Sequence, residues 1–250
     1  MIGTQIGRIL TDFDCFSLKI LRGYDLRNFE NFVNLYAHLN KSAKIRKNPS
    51  DLCANKKINI MAKIYFEDKI FDGIDYSKTA LPQGEYENCT FKNCIFNNTD
   101  LLNIHFADCT FKDCDLSMAK IAQTAFKGVS FNGCKMLGLY FEHCNPFMFA
   151  VSFDTCSLNL SSFYQLNLKK TIFKDCSLQE VDFSEADLTS AVFNNSDLFK
   201  ATFDHTNLEK VDFRTAYNYA FDLDKNRIKK AKFSTKGVVG LLRKYDIEIS

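Results

Sequence analysis

The chain has 250 residues, 46% of them hydrophobic and 25% charged, and its formal net charge is +2. No run of about 18 apolar residues occurs, which predicts no transmembrane helix, and no basic segment followed by an apolar one opens the sequence, which predicts no signal peptide. We therefore expect a cytoplasmic protein of one large domain or two.

The charge is unevenly distributed along the chain. Residues 1–60 carry ten Lys/Arg against five Asp/Glu, residues 61–220 carry 14 against 21, and residues 221–250 carry eight against four. An acidic body with a net charge of −7 therefore lies between two basic flanks. Such a body can serve solubility alone, or it can attract a cationic partner.

The first segment, residues 1–60, shows no repeat. Within it, Asp25 to Asn40 fits a short amphipathic helix, and Lys41 to Lys57 is basic and polar, as in a linker. The segment is either an N-terminal extension, partly helical or disordered, or an over-extended reading upstream of a start at Met61. In both cases we expect the fold not to need residues 1–60.

The second segment, residues 61–233, is a repeat with a period of five. One large apolar residue recurs every five positions from Phe66 to Phe141, and again from Met148 to Phe213. A helix would spread such residues around its axis, and a straight strand would send them to alternate faces. The conflict disappears if three residues run extended and two turn a corner, because every large residue then points inward.

Two positions before each large residue, the side chain is nearly always small or β-branched, which suits a crowded second inward position. Most of the ten cysteines lie there. We interpret them as reduced packing residues, not as a disulfide framework or a zinc site, whose ligand spacing they lack. These cysteines are Cys89, Cys94, Cys109, Cys114, Cys134, Cys156 and Cys176, with Cys144 if the first register continues.

The register slips once. Phe141 and Met148 are seven residues apart, so residues 142–147 contain two extra positions. A slip in a solenoid makes a bulge or a small loop without ending the stack. His143, Pro146 and Phe147 are therefore candidate contacts for a partner, although local repair of the corner is the preferred interpretation of the slip.

The third segment, residues 234–250, reads as an end cap. Ser234 or Thr235 can cap a helix that runs to about Tyr245, and Ile247 with Ile249 can form a short strand. An open last coil would expose a strand edge and its apolar plug, so a cover is expected. The residues assigned to this cap, and to dimer contacts, are Val238, Leu241, Leu242 and Tyr245.

Several segments resemble pentapeptide repeats of the A-(D/N)-L-x-x type, among them Cys89-Thr90-Phe91-Lys92-Asn93 and Ala186-Asp187-Leu188-Thr189-Ser190. That family implies an all-β fold, a right-handed quadrilateral β-helix of about 20 residues per coil, here with a short C-terminal capping helix. A spacing of 20 residues in the sequence agrees with this fold, because it places Phe residues in ladders on two opposite faces and Leu residues on the other two. The core residues that we assign are Phe91, Phe111, Phe131, Phe153, Phe173, Phe193, Phe213, Leu158, Leu178 and Leu198.

Within that family, residues 111–119 and the tail from Gly240 to Ile249 are similar to the Qnr-type quinolone-resistance proteins. The resemblance implies a homodimer joined through the C-terminal helix. It also implies an acidic rod that imitates duplex DNA and binds DNA gyrase or topoisomerase IV. The chain lacks the long projecting loops of many such proteins, and its body is only modestly acidic.

Catalysis is not expected. The four histidines are dispersed, and no nucleophile–base set, Gly-rich phosphate loop or metal-ligand spacing occurs, so we assign no catalytic, cofactor or metal residue. Two functions remain open: a DNA mimic that binds type II topoisomerase, and a general protein-interaction scaffold. Mimicry would need a continuous acidic stripe, whereas a scaffold would show an exposed apolar patch.

Overall fold

In the computed structural model, which describes residues 64–245 and 247–248, the repeats wind as a parallel β-helix. Phe71 pairs with Phe91 and Phe91 with Phe111, so one coil takes 20 residues. Backbone bridges also join Asp75 to Ile95 and Asp100 to Lys120, which gives each coil four sides. The predicted segment 1–60 lies outside the described residues.

The four faces can be named by their central inward residues in one coil: Tyr86 marks face 1, Phe91 face 2, Phe96 face 3 and Leu101 face 4. Regular strands form on faces 1 and 2, whereas faces 3 and 4 carry isolated bridges. Face 1 carries β1 (Ile64–Glu67), β3 (Gly84–Glu87), β5 (His105–Ala107) and β7 (Ala125–Lys127). Face 2 carries β2 (Ile70–Asp72), β4 (Thr90–Lys92), β6 (Thr110–Lys112), β8 (Val129–Asn132), β9 (Val151–Asp154), β10 (Ile172–Lys174) and β11 (Val192–Asn194).

Most corners are made by a residue in the left-handed conformation, two positions after the central inward residue. Asn93 and Asn98 have φ of 51° and 55°, and Gly133 has φ of 64°. Asn and Gly tolerate this region better than other residues because their side chains are short or absent. In most repeats the residue at this corner position is polar, and it signals the turn. The predicted alternation of three extended residues and two turning residues is observed.

Stacked aromatic rings fill the interior. Phe173 lies 5.2 Å from Phe153 and 4.9 Å from Phe193, between ring centroids, with nearly parallel planes. Phe183 meets Phe173 edge to face at 5.7 Å. All ten residues assigned to the core from the sequence are at most 1% exposed.

The prediction of Phe ladders on opposite faces holds only after the register slip. Before it, the second ladder lies on face 1, where Phe106 stacks on Phe126 at 5.6 Å, and this face adjoins the Phe ladder of face 2. After it, the second ladder moves to face 4, where Phe163 stacks on Phe183. Both arrangements let the second ladder meet the rings of face 2 edge to face, which aromatic quadrupoles favour.

The slip itself adds two residues to one coil, since Phe131 pairs with Phe153 instead of residue 151. The repeat pattern placed Met148 inward, but Met148 is 53% exposed and turns the corner with φ of 57°. Phe149 takes the inward place and meets Phe141 edge to face at 6.2 Å. Because both residues are apolar, spacing alone pointed to the wrong one.

A short helix, α1 (Thr235–Leu241), covers the last coil. Ser234 is its N-cap and accepts a hydrogen bond from the Gly237 N–H at 3.0 Å, as one of the two predicted caps. The predicted helix to Tyr245 is wrong in its second half. The Leu242 N–H bonds to Val239 O, three residues back, and a 3₁₀ turn (Arg243–Tyr245) follows.

Candidate interaction surfaces

The eight cysteines among the described residues are free and buried. Those of face 3 form a column in which each thiol bonds to a nearby carbonyl; the Cys114 Sγ–H, for example, donates to Phe91 O at 3.4 Å. Burial, and then the charge of Glu142, raises the pKa of the Cys144 thiol. Buried thiols that donate to carbonyl groups of the same coil stack serve as packing groups.

Two further features bear on chemistry within the described ranges. No group of three or more His, Cys, Asp or Glu side chains there is placed to hold a metal ion. No helix of that part of the chain is long and apolar enough to cross a membrane. The described histidines lie apart, with His105 on face 1, His143 in the slip and His205 at the corner after face 4.

Five of the ten acidic residues between residues 64 and 127 belong to face 1, more than to any other face. Several have neighbours that orient them: Asp68 Oδ1 accepts a hydrogen bond from Asn88 Nδ2 at 2.6 Å, and Glu85 lies 3.9 Å from His105 Nδ1. Their outward positions keep these carboxylates in solvent contact. We name this set the N-terminal acidic lobe: Glu67, Asp68, Glu85, Glu87 and Asp108.

A second acidic set lies on face 4 of the C-terminal coils. Hydrogen bonds from Gln165 and Tyr164 lower the pKa of Glu185, and Lys244 lowers the pKa of Asp222, so both carboxyls stay ionised at neutral pH. Lys225 partly balances the set, at 3.4 Å from Asp204. This C-terminal acidic lobe comprises Asp182, Glu185, Asp204, Asp222 and Asp224.

The two lobes do not form one straight stripe. Beyond the slip, face 1 carries Lys169, Lys170, Lys210 and Arg227, so its acidic character ends there. Because the chain runs from face 4 into face 1, these faces share a corner, and the two lobes lie on either side of it, with Glu142 as the one acidic residue of these faces between Asp108 and Asp182. The result is a slanting acidic band with a gap at the slip.

The slip residues fill that gap. Phe147 is 76% exposed, and His143 and Pro146 are exposed beside it. The rings of Tyr140 and His143 stack at 5.7 Å. The structure therefore brings together all three candidate contact residues predicted from the sequence.

Sequence reasoning missed a second exposed apolar group at the corner between faces 3 and 4. It consists of Met118, Leu137, Tyr140 and Leu160, which lie 41–54% exposed on three successive coils. These residues occupy outward repeat positions, where polar side chains are the rule. An apolar residue at an outward position is the signal that could have found them.

The C-terminal residues assigned to cap and dimer contacts divide between two environments. Leu241 is 3% exposed and covers the last coil, and Leu242 is half-buried. Val238 and Tyr245 remain 38% and 54% exposed. The exposed pair is available to a partner, whereas Leu241 belongs to the fold of its own chain.

Comparison with known families gives two matches. Residues 147–217 match the model of the pentapeptide repeat region, and residues 44–116 match that of the SV2A/B/C luminal domain. No curated protein matches the chain at a significant level.

Solved structures with similar coils include trypsin-treated QnrB1, described as a plasmid-mediated fluoroquinolone resistance protein, at 20% identity and a TM-score of 0.37, covering 74% of this chain and all of that one. HetL of the cyanobacterium Nostoc sp. strain PCC 7120, a pentapeptide repeat protein involved in regulating heterocyst differentiation, has 16% identity and a TM-score of 0.38, with 70% and 86% covered. At such identities and TM-scores, the assignment rests on the coils themselves and on the family match. With residues 147–217 matched and the same coil geometry running from Ile64 to Lys232, this chain contains a pentapeptide repeat region folded as a β-helix.

Proposed function

We propose that the chain is a non-enzymatic protein-binding rod whose acidic band docks in the DNA-binding groove of a type II topoisomerase, DNA gyrase or topoisomerase IV. The observation that carries this proposal is the slanting acidic band. Its two lobes lie on adjacent faces, as the phosphates of a duplex wind around an axis. The Qnr-like tail of the sequence, Gly240 to Ile249, supports the same partner.

The dimensions of the band fit this role. Roughly seven coil steps of ~4.8 Å separate its ends, so it extends about 34 Å, close to one turn of B-DNA. A cationic groove gains binding free energy because counterions are released when it binds DNA. A rod that carries carboxylates would release counterions in the same way. Binding would therefore compete with DNA and weaken steeply as salt rises.

The test is a binding titration with purified gyrase at two salt concentrations, together with a supercoiling assay with and without a fluoroquinolone. The charge-reversed variant Asp182→Lys with Glu185→Lys should bind at least tenfold more weakly. A control with one reversal, Asp175→Lys, changes a carboxylate on face 2 and should bind as the wild type does, and Asp182→Lys alone is the single reversal to compare with it. A wild-type protein with no affinity for either enzyme at low salt would contradict the proposal.

Protection from quinolones is a further expectation of the same proposal. If the rod displaces DNA from the groove, it reduces the number of enzyme–DNA complexes that the drug can trap. In the supercoiling assay, the wild-type protein should then raise the drug concentration needed for half inhibition. The charge-reversed variant should not.

The second candidate is a general interaction scaffold with another protein partner. It is favoured by the apolar residues exposed around the slip, above all Phe147 at 76%. Burial of apolar surface depends little on salt, so Phe147→Ser would separate the two candidates. A scaffold should lose binding on this change, and a DNA mimic should lose it on charge reversal instead.

A further inference from the structure

The apolar group at the corner between faces 3 and 4 is one continuous surface, which we name the corner ridge: Met118, Leu137, Tyr140 and Leu160. Gly138 lies at its centre. The Met118 N–H donates to Leu137 O at 2.9 Å, and the Gly138 N–H donates to Asn159 O at 3.0 Å, so the three coils stack directly there. A Cβ at Gly138 would come within 2.7 Å of the Met118 sulfur, so the Met118 side chain lies over this glycine.

The fold does not require these residues to be apolar. Met118 and Leu160 are 52% and 54% exposed, so they contribute little to the core. Both also hold left-handed backbone, with φ of 57° and 59°, a region that disfavours bulky side chains. In the preceding coil the same corner position is Asn98, with φ of 55°, a residue suited to both the turn and the solvent. Because the fold imposes left-handed backbone at most corners, the exposed apolar side chain, and not the backbone, points to a role outside folding.

The surroundings of the corner ridge carry both signs of charge: Lys120 and Lys135 lie on the coils of Met118 and Leu137, and acidic residues lie beside Tyr140 and beyond Leu160. Glu142 follows Tyr140 on the same coil, and its buried Oε2 atom has no hydrogen-bond partner among the described residues. One coil beyond Leu160, the corresponding corner residue is Glu180, and Asp182 follows on face 4. An occupant with apolar side chains in the middle and Lys or Arg beside them would complement this arrangement.

The spacing of the corner ridge selects the shape of the occupant. Met118 and Leu160 are two coil steps apart, about 10 Å along the rod. Residues i and i+7 of an α-helix lie about 10.5 Å apart on one side of the helix. A helix parallel to the rod would thus meet both residues with one apolar stripe, and its basic residues would meet Glu180, Asp182 and Glu142.

From these observations we propose that the corner ridge binds a cationic amphipathic helix of a protein partner. The mode is that of a helix whose apolar face is laid on a complementary apolar surface. This site shares only Asp182 with the slanting acidic band and does not require a topoisomerase.

The probe is an 18-residue helical peptide of Leu and Lys, with Leu at i, i+3, i+4 and i+7, labelled for fluorescence anisotropy. Two comparison peptides replace every Leu by Ser, or every Lys by Glu. The ridge variant takes residues that this chain already uses at the equivalent positions of other coils: Met118→Asn, Leu137→Ser, Tyr140→Ser and Leu160→Asn. The control variant, Ile70→Thr with Ile172→Thr, removes exposed apolar side chains from face 2.

The Leu/Lys peptide should bind the wild type and the control variant alike, and the ridge variant at least tenfold more weakly. The Ser/Lys and Leu/Glu peptides should bind the wild type at least tenfold more weakly than the Leu/Lys peptide does. The ridge variant should melt at the same temperature as the wild type or higher, since Asn suits left-handed backbone. If the fourfold change impairs folding, Leu160→Asn alone should still weaken binding severalfold.

Equal affinity of the wild type and the ridge variant for the Leu/Lys peptide would overturn the proposal, as would no binding by the wild type. Equal binding of the Ser/Lys and Leu/Lys peptides to the wild type would also overturn it, because the contact would then depend on charge alone. Sedimentation supplies the remaining outcome. If the ridge variant loses a self-association that the wild type shows, a second copy of this chain occupies the corner ridge, and the proposal is wrong. Absence of gyrase binding would contradict the proposal for the acidic band but not the proposal for the corner ridge.

Discussion

At the scale of single residues, three positions of each five-residue repeat have distinct structural roles. One large residue stacks in the interior, one small residue fits beside it, and one residue turns the corner. The corner position accepts even Glu180 and Lys200, with φ of 56° and 55°. Those residues hold an unfavourable conformation because hydrogen bonds between the coils fix the turn around them.

The interior ladder gives the sharpest prediction at this scale. Phe173→Asp should prevent folding, because Phe173 is fully buried between Phe153 and Phe193 and an unpaired carboxylate there costs several kcal/mol. Neighbouring coils share the same core, so the loss should spread. Circular dichroism and thermal melting would measure it.

The control is Phe199→Asp, which introduces the same carboxylate at a Phe that is 43% exposed. Its melting temperature should stay within a few degrees of that of the wild type. A soluble Phe173→Asp protein with unchanged melting would contradict the inward assignment.

Spacing in the sequence predicted the inward residues of every regular coil, because each central inward position there holds a large apolar residue. It failed where two apolar residues competed or where the corner changed. At the slip, Phe149 and not Met148 turns inward. Near the C-terminus, Asn218 makes a left-handed corner and Tyr219 takes the buried place, at 3% exposure. Local backbone geometry decided both cases, and a fixed period contains no information about it.

The surfaces were less predictable than the core. The sequence located the slip residues, because the loss of register marks them. It gave the net charge of the body but not the division of that charge between faces 1 and 4. The corner ridge arises from residues 118–160, which become neighbours only when coils stack. Such a surface can be predicted only when the register between neighbouring coils is known.

At the scale of elements, the contact between α1 and the last coil depends on two glycines. The Gly240 Cα packs so closely on Tyr219 that a Cβ would lie 2.1 Å from the Tyr219 carbonyl oxygen. At Gly237 a Cβ would lie within 3 Å of the Tyr219 ring. Side chains at these positions would push the helix off the coil, whatever their helix propensity.

Gly240→Ala should therefore destabilise the protein, although alanine favours helices over glycine by about 1 kcal/mol. We expect a loss of roughly 1–3 kcal/mol in the free energy of unfolding, typical of overpacking. Val239→Ala is the control, since Val239 is 45% exposed and faces away from the coil. Denaturant titration measures both changes, and a Gly240→Ala protein as stable as this control would contradict the close packing.

The cap should also respond to acid. Lys244 bridges Asp222 and Asp224, and its hydrogen bond lowers the pKa of Asp222 below the ordinary value of 3.8. A depressed carboxyl pKa stabilises the folded state above the unfolded pKa, and this contribution is lost as the pH falls through the folded pKa. Lys244→Met should therefore lower the melting temperature near pH 6 but have little effect near pH 2.

The comparison needs only the difference between the two proteins at each pH, because other carboxyls titrate alike in both. Lys236→Met is a suitable control, since it removes a lysine from α1 instead of from the turn that follows it. A difference between Lys244→Met and wild type that stays constant from pH 6 to pH 2 would show that the ion pairs contribute nothing.

At the scale of the whole molecule, the acidic band and the C-terminal end differ in charge. Residues 221–250 carry eight Lys/Arg against four Asp/Glu, and Val238, Val239 and Tyr245 are exposed beside them. If two copies join end to end through this surface, as the Qnr-like tail suggests, apolar contacts must overcome the repulsion between two basic ends. Higher salt should then strengthen the dimer, whereas it should weaken binding to a cationic groove.

This contrast in salt dependence gives the last prediction. The wild type should sediment as a dimer at micromolar concentration, with a larger dimer fraction at about 0.5 M salt than at low salt, since the Debye length shortens. Val238→Lys with Val239→Lys should give monomers at either salt concentration, because it removes apolar contact and adds like charges across the two-fold axis.

These residues serve better than Leu241, because Leu241 is buried in its own chain and its substitution would confuse dissociation with unfolding. Ile172→Lys places the same charge at an exposed residue of face 2 and should remain dimeric. A wild-type protein that is monomeric at every salt concentration would rule out the end-to-end dimer, and the acidic band of a single rod would then have to account for any binding to gyrase.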